Sequence, residues 1–278
     1  MRLNSRCVLA VAVGERYVMQ AIVMASSFLE YNAGWDVVIY TDALDASLPW
    51  WAIIRPLSSL LMPHREFRGF SPFDQCEIGR FLAVKALLDD YDEVLYCDND
   101  LYWYAPYTVS DTAELILSPH FLNPSIARAN VALLWKDGGP NIGHMHFRGR
   151  RAVTVCDYII SEVKTNPMAN RHKGTLWLQN LMTMAPWLGL DTATTGIGCN
   201  VGNWNLRRGD REIMERDGAF IVRCGGLESP LVSYHFSGKS FARLIDGQLG
   251  PIPARLAREY ADRLAAGSSA ATTAKMRN

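Results

Sequence analysis

The chain has 278 residues, 49% of them hydrophobic and 20% charged, and its 28 lysines and arginines are balanced by 28 aspartates and glutamates. That length suits one large α/β domain or two small ones around a substantial core, and the balanced charge gives no general attraction for nucleic acid. No stretch approaches the roughly 20 apolar residues that span a bilayer. The cysteines at 7, 76, 97, 156, 199 and 224 form no C-x-x-C pair, which suits reduced core residues of a cytoplasmic protein rather than disulfides or a zinc site.

The apolar run from Cys7 to Val13 predicts a first buried strand. It follows Arg2 and Arg6 as a signal peptide's apolar region would, but it meets Gly14-Glu15-Arg16 without a small-residue cleavage site. A turn over Gly14 to Tyr17 leads into helical spacing from Val18 to Tyr31, and Asp36 to Tyr40 reads as a second strand ending in Thr41-Asp42. This strand–helix–strand alternation predicts an α/β fold with a mainly parallel sheet and right-handed crossovers. Leu48 to Phe73, rich in proline and aromatic residues, predicts one strand and an irregular connection. Gly79 to Tyr91 predicts a helix with Phe81, Val84, Leu87 and Leu88 on one face and Arg80 in its first turn, where it could reach a diphosphate at the sheet edge or equally be a surface arginine.

Glu93 to Cys97 then forms a short apolar strand that ends in Asp98-Asn99-Asp100. Side chains alternate faces along a strand, so the two carboxylates are expected to leave it on the same side. Ligands of open α/β sheets bind outside the carboxyl ends of the strands, where paired carboxylates suit a divalent cation sharing its shell with phosphate oxygens. The same triplet is also good turn chemistry. The aromatic segment Leu101-Tyr102-Trp103-Tyr104 follows, and could line a sugar or a base.

Glu114 to Leu117 reads as a further strand, and the prolines and Gly138-Gly139-Pro140 between 122 and 140 predict a flexible lid. Asn141 to Phe147 alternates as a strand, in which His144 and His146 share a face but have no third donor nearby. Arg151 to Lys164 and Thr175 to Met184 read as helices, the second carrying Gln179, and Asn200 to Asn205 as a polar, aromatic loop. A strand from Leu231 ends in His235-Phe236-Ser237-Gly238-Lys239, offering a third metal donor, a glycine for close approach and a cation for phosphate. Pro253 to Ala266 predicts an amphipathic helix, and Gly267 to Asn278 a disordered tail. The division is therefore a domain over 1–250 with a helix and tail over 251–278.

Arg80, Asp98-Asn99-Asp100, Asn141-Ile142-Gly143, Leu178-Gln179, Asn200 to Asn205 and His235 to Lys239, in this order, resemble the GT-A glycosyltransferases. The similarity is closest to the retaining, glycogenin-like and lipopolysaccharide galactosyltransferase-like group and its bacterial relatives. It runs from about Cys7 to Lys239. D-x-D is common by chance, and its pairing with a late, strand-terminal His-x-x-Gly-Lys is far more specific. The resemblance implies one Rossmann-like domain that moves a sugar from a nucleotide-diphosphate sugar to a glycan or glycoconjugate hydroxyl, in bacterial polysaccharide synthesis.

It further implies Mn²⁺, with Mg²⁺ as the alternative, on Asp98, Asp100 and His235. Tyr17, Arg80, Asn99, Asn141, Gly143, Asn200, Gly238 and Lys239 become donor or acceptor contacts, and Gln179 the group beneath the anomeric carbon. A UDP-sugar is the first expectation for the donor and a GDP-sugar the second. The site is expected in the cytoplasm, with contact at the inner membrane face as an option. The family's Asp-Gln pair is here Leu178-Gln179, and its Lys-Pro-Trp ending is Lys239-Ser240-Phe241. No residue stands out as an acceptor-side carboxylate base, which favours front-face retention over inversion. Two alternatives stay open: a sugar nucleotidyltransferase, for whose Gly-rich phosphate loop Gly14-Glu15-Arg16 is too short, and a nucleotide-sugar or glycan-binding module that has lost catalysis.

Overall fold

The computed structural model describes residues 4–44, 48–67, 69–109, 111–122, 139–166, 177–236 and 241–275, with side chains in the last segment as far as 267. The strands are β1 (Arg6–Ala12), β2 (Asp36–Thr41), β3 (Ala52–Pro56), β4 (Glu93–Cys97), β5 (Leu101–Trp103), β6 (Leu115–Pro119), β7 (Pro140–Arg148), β8 (Thr192–Thr194), β9 (Val201–Gly202), β10 (Glu212–Arg216), β11 (Ala219–Cys224), β12 (Leu227–Pro230) and β13 (Ser233–His235). The helices are α1 (Glu15–Tyr31), α2 (Ser58–Leu61), α3 (Pro72–Leu87), α4 (Val153–Thr165), α5 (177–182), α6 (Asn203–Arg207), α7 (Phe241–Ile245) and α8 (Pro251–Lys275).

Seven strands form the central sheet in the order β3-β2-β1-β4-β7-β6-β8. All point the same way except β7, which is antiparallel to both β4 and β6. β1, β2 and β4 are almost wholly buried, as expected for strands covered on both faces. One core packs α3 and α4 against the sheet through Phe81, Val84, Leu87, Val155 and Ile159. The other packs α1 on the opposite face through Val18, Met24 and Phe28. Two small three-stranded sheets, β5-β13-β9 and the meander β10-β11-β12, complete the molecule.

Local chemistry explains where the sequence expectation shifts. α3 begins at Pro72, because the Ser71 hydroxyl caps it by accepting from the Asp74 amide at 3.2 Å, with proline at the first helical position. Arg80 therefore lies mid-helix, not in the first turn. The expected loop at 200–205 is instead the short β9 followed by α6, and the meander from Glu212 to Pro230 was not anticipated. α8 extends to Lys275, and so takes in residues expected as a tail from Gly267. Its Leu256, Ala257 and Tyr260 are buried with Tyr234 and Phe236. All six cysteines are free.

Candidate metal centre and adjoining cleft

Asp98 and Asp100 converge because a turn, not strand alternation, carries them. β4 ends at Cys97, β5 begins at Leu101, and the intervening Asp98-Asn99-Asp100 folds back so that the Leu101 amide donates to the Asp98 carbonyl at 3.2 Å. Two further backbone bonds pin the turn: the Asp98 amide donates to the Gly143 carbonyl at 2.7 Å, and the Phe236 amide to the Asp100 carbonyl at 2.8 Å. β13 pairs with β5 in a register that sets His235 opposite Leu101. The imidazole Nε2 thus lies 2.9 Å from Asp100 Oδ1 and 3.8 Å from Asp98 Oδ2. One ligand atom from each of Asp98, Asp100 and His235 falls within 4.8 Å of the others, the one such group among the described residues.

The surrounding side chains hold these donors in place. Asn200 Oδ1 lies 3.0 Å from His235 Nδ1, so it fixes the ring from behind and leaves Nε2 facing the carboxylates. Burial pushes the His235 pKa down, and the charges of Asp100 and Asp98 overcome it, so the value stands above that of an ordinary histidine. The Tyr96 hydroxyl donates to Asp98 Oδ1 at 2.7 Å. Gly143 lets the group close up, since a Cβ there would lie 2.5 Å from Asp98 Oδ2 and 2.8 Å from His235 Cε1. Two carboxylate oxygens and an imidazole nitrogen form a mixed hard and borderline donor set that could hold a divalent cation.

Beside the triad a cleft of about 500 Å³ opens at the carboxyl ends of β1 and β4. Val11, Val13 and the exposed rings of Tyr17 and Phe73 give it an apolar wall, and Gln20, Asn99 and the two aspartates give it polar groups. Asn99 Nδ2 donates to the Val11 carbonyl at 3.0 Å, while its buried Oδ1 has no partner among the described residues. Gly14, at φ 85°, turns the chain from β1 into α1, a conformation that favours glycine. Its amide donates to Asp42 Oδ1 at 2.7 Å, which ties the turn to the end of β2.

The other expected site residues fall in different places. Arg80 lines the cleft, yet it is buried and its guanidinium is largely committed. It pairs with Glu77, donates to the Ile142 carbonyl at 3.1 Å, lies 3.4 Å from Asp98 Oδ1 and covers the Tyr96 ring. It therefore braces Asp98. Asn141 Oδ1 accepts from the Gly143 amide at 2.8 Å. Gln179 is half-buried on α5, next to a Leu178 that is fully buried in the core. Gly238, Lys239 and positions 123–138 of the expected lid lie outside the described residues.

His144 and His146 are buried and outside the triad. His144 Nδ1 lies 2.9 Å from Ser118 Oγ, and His146 Nε2 lies 3.0 Å from Glu93 Oε2. Two site neighbours escaped the sequence reading. The Tyr96 contact was legible, since residues two apart on a strand share a face. The Trp204 indole folds over Gly202, stacks on His120 at 5.3 Å and meets the His235 ring edge-on at 5.0 Å. Nothing in the sequence marks that arrangement.

The solved structure of the galactosyltransferase LgtC in complex with donor and acceptor sugar analogues matches 93% of this chain and 95% of its own, with TM-score 0.57 and 14% identity. This chain has the GT-A glycosyltransferase fold. An active-site mutant of LgtC matches the same GT-A fold at TM-score 0.55 and 14% identity, over 92% of this chain and 95% of that one. The apo form of mouse xyloside xylosyltransferase 1 scores 0.49 at 15% identity, over 84% and 98% of the two chains. No family model and no curated protein matches the sequence. Within the GT-A fold, the triad and cleft sit together at the carboxyl edge of the sheet. No helix among the described residues is long and apolar enough to cross a membrane.

Proposed function

We propose that this protein is a metal-dependent glycosyltransferase that moves a sugar from a nucleotide-diphosphate sugar to a hydroxyl of a glycan or glycoconjugate. The observation that carries the proposal is the convergence of Asp98, Asp100 and His235 within 4.8 Å beside a cleft of about 500 Å³ in a GT-A fold. A divalent ion, Mn²⁺ by preference, held by these three side chains would neutralise charge growing on the departing diphosphate. The apolar wall of Val11 and Val13, with the rings of Tyr17 and Phe73, receives the base. Asn99 Oδ1 offers an acceptor to a ribose hydroxyl or a base N–H. Asn200 and Tyr96 keep His235 and Asp98 in position, and Arg80 keeps the Asp98 carboxylate aimed.

Gln179 is assigned to the underside of the sugar, where its amide would stabilise positive charge as the glycosidic bond breaks. Without an enzymic carboxylate beside it, the acceptor attacks from the face the diphosphate leaves. The leaving phosphate oxygen then takes the acceptor proton, giving retention. By the same resemblance the donor is a UDP-sugar first and a GDP-sugar second, and the setting is cytoplasmic synthesis of a bacterial polysaccharide or glycoconjugate. A second reading, a nucleotide-sugar-binding module with little turnover, draws on the buried, apolar Leu178.

Incubation with Mn²⁺ and a panel of nucleotide sugars tests both readings. Slow release of nucleoside diphosphate from one donor, abolished by EDTA, is the expected result. Metal-dependent binding without release would support the binding module. No metal-dependent binding of any nucleotide would overturn the proposal. In Asp100→Ala, calorimetry should show diphosphate affinity that no longer responds to Mn²⁺, because two ligands cannot hold the ion that links protein to phosphate.

A further inference from the structure

α8 packs its buried face against α1, β5 and the end of β13, through Leu256, Ala257 and Tyr260 on one side and Val23, Tyr102, Tyr234 and Phe236 on the other. Two ion pairs fasten its flanks, Arg255 to Glu215 at 3.1 Å and Arg263 to Glu30 at 3.3 Å. Tyr260 is 1% exposed. Its ring lies flat on Phe236, with centroids 4.5 Å apart and planes 6° apart, and meets Phe241 and Tyr102 edge-on at 5.7 and 6.0 Å. Phe236 is the residue after His235, and its amide is the donor that holds the Asp100 carbonyl. One aromatic stack therefore bears on a residue that is joined covalently to one metal donor and by a hydrogen bond to another.

We propose that Tyr260 is a positioning residue of the metal centre: through Phe236 it fixes the distance between His235 and Asp100, so that α8 forms part of the metal site. This rests on the reading of the triad as a metal site. Stacked rings in a close-packed interior transmit displacement, because their neighbours have no free volume to absorb it. Replacing the ring by a shorter aliphatic side chain leaves a void under Phe236. The backbone that carries His235 and the Asp100 bond then relaxes into it. The phenol hydroxyl itself is buried with no partner among the described residues, so the ring and not the hydroxyl performs the task.

The test compares wild type, Tyr260→Phe, Tyr260→Leu and, as a destabilised control on the same helix, Leu256→Ala. Mn²⁺ affinity is read by calorimetry, folding by circular dichroism and thermal melting, and the Phe236 amide by hydrogen exchange. Tyr260→Phe should keep Mn²⁺ affinity within about twofold and melt no lower than wild type, since it removes an unpaired buried hydroxyl. Tyr260→Leu should remain folded, bind Mn²⁺ at least tenfold more weakly and exchange the Phe236 amide faster. Leu256→Ala should melt lower yet bind Mn²⁺ as wild type does. A folded Tyr260→Leu with wild-type affinity would overturn the inference, as would a Leu256→Ala that loses as much affinity. If wild type binds no Mn²⁺, the functional reading fails. The positioning role is then judged by the Phe236 amide alone, and unchanged exchange in Tyr260→Leu refutes it.

Discussion

At Gly143 there is room for a hydrogen and nothing larger, since an added Cβ would sit 2.5 Å from Asp98 Oδ2 and 2.9 Å from Asn141 Oδ1. Gly143→Ala should therefore push Asp98 away from His235 while costing the fold only about 1–3 kcal/mol, as overpacking does. Calorimetry should show Mn²⁺ bound at least tenfold more weakly, and an unchanged affinity would mean that the triad does not assemble around this glycine. His144 makes a different prediction, about acid. Burial, with a smaller contribution from His146, pushes its pKa down to about 3, so the folded protein keeps it neutral while the unfolded chain protonates near 6.5. Its contribution to stability is therefore complete above pH 6.5 and is lost as pH falls towards 3, reaching about 2 kcal/mol by pH 5. Melting curves from pH 7 to pH 5 should fall more steeply for wild type than for His144→Gln.

α5 tests how far resemblance can be carried at the scale of an element. Leu178 is fully exposed to the core and hidden from water, so restoring the family's carboxylate there would bury a charge without a partner. Leu178→Asp should lose several kcal/mol of stability, on the order of 3 or more, and gain no turnover. A mutant that melted as wild type and turned over faster would show that the helix presents this position to the substrate. Gln179→Ala, by contrast, should lower kcat by about 10²-fold at nearly unchanged donor KM and melting temperature, if its amide acts only in the transition state. Wild-type kcat in that mutant would remove Gln179 from the chemistry. The elements most legible in the sequence were those with a single unbroken signal: the apolar runs of β1, β2 and β4, and the helical spacing of α1. α3 was recognised but started late, because a Ser-Pro cap is a weak mark inside an aromatic-rich connection. The meander of β10 to β12 was missed because its strands are largely exposed, so no strong apolar pattern distinguishes them from loop.

Across the whole molecule, the mainly parallel sheet was readable from residue types and order, whereas the contacts of individual residues were not. Arg80 is a case in point: it lines the cleft, yet its guanidinium also meets Glu77, the Ile142 carbonyl and Asp98, which its position in the sequence does not reveal. Asn200 likewise sits behind His235. Such assignments depend on which groups lie within 3 or 4 Å, and that is decided by packing between elements far apart in the chain.

The pairing of β13 with β5 brings His235, on the last strand among the described residues, against two aspartates from the first half of the chain. A polypeptide emerging from the ribosome thus carries both aspartates for much of its synthesis without the imidazole that completes the triad. Under the proposed function, ion binding would report that β13 has been made and has docked. On the proposed reading, chains that stall, are cut or fail to pair β13 with β5 would hold no ion.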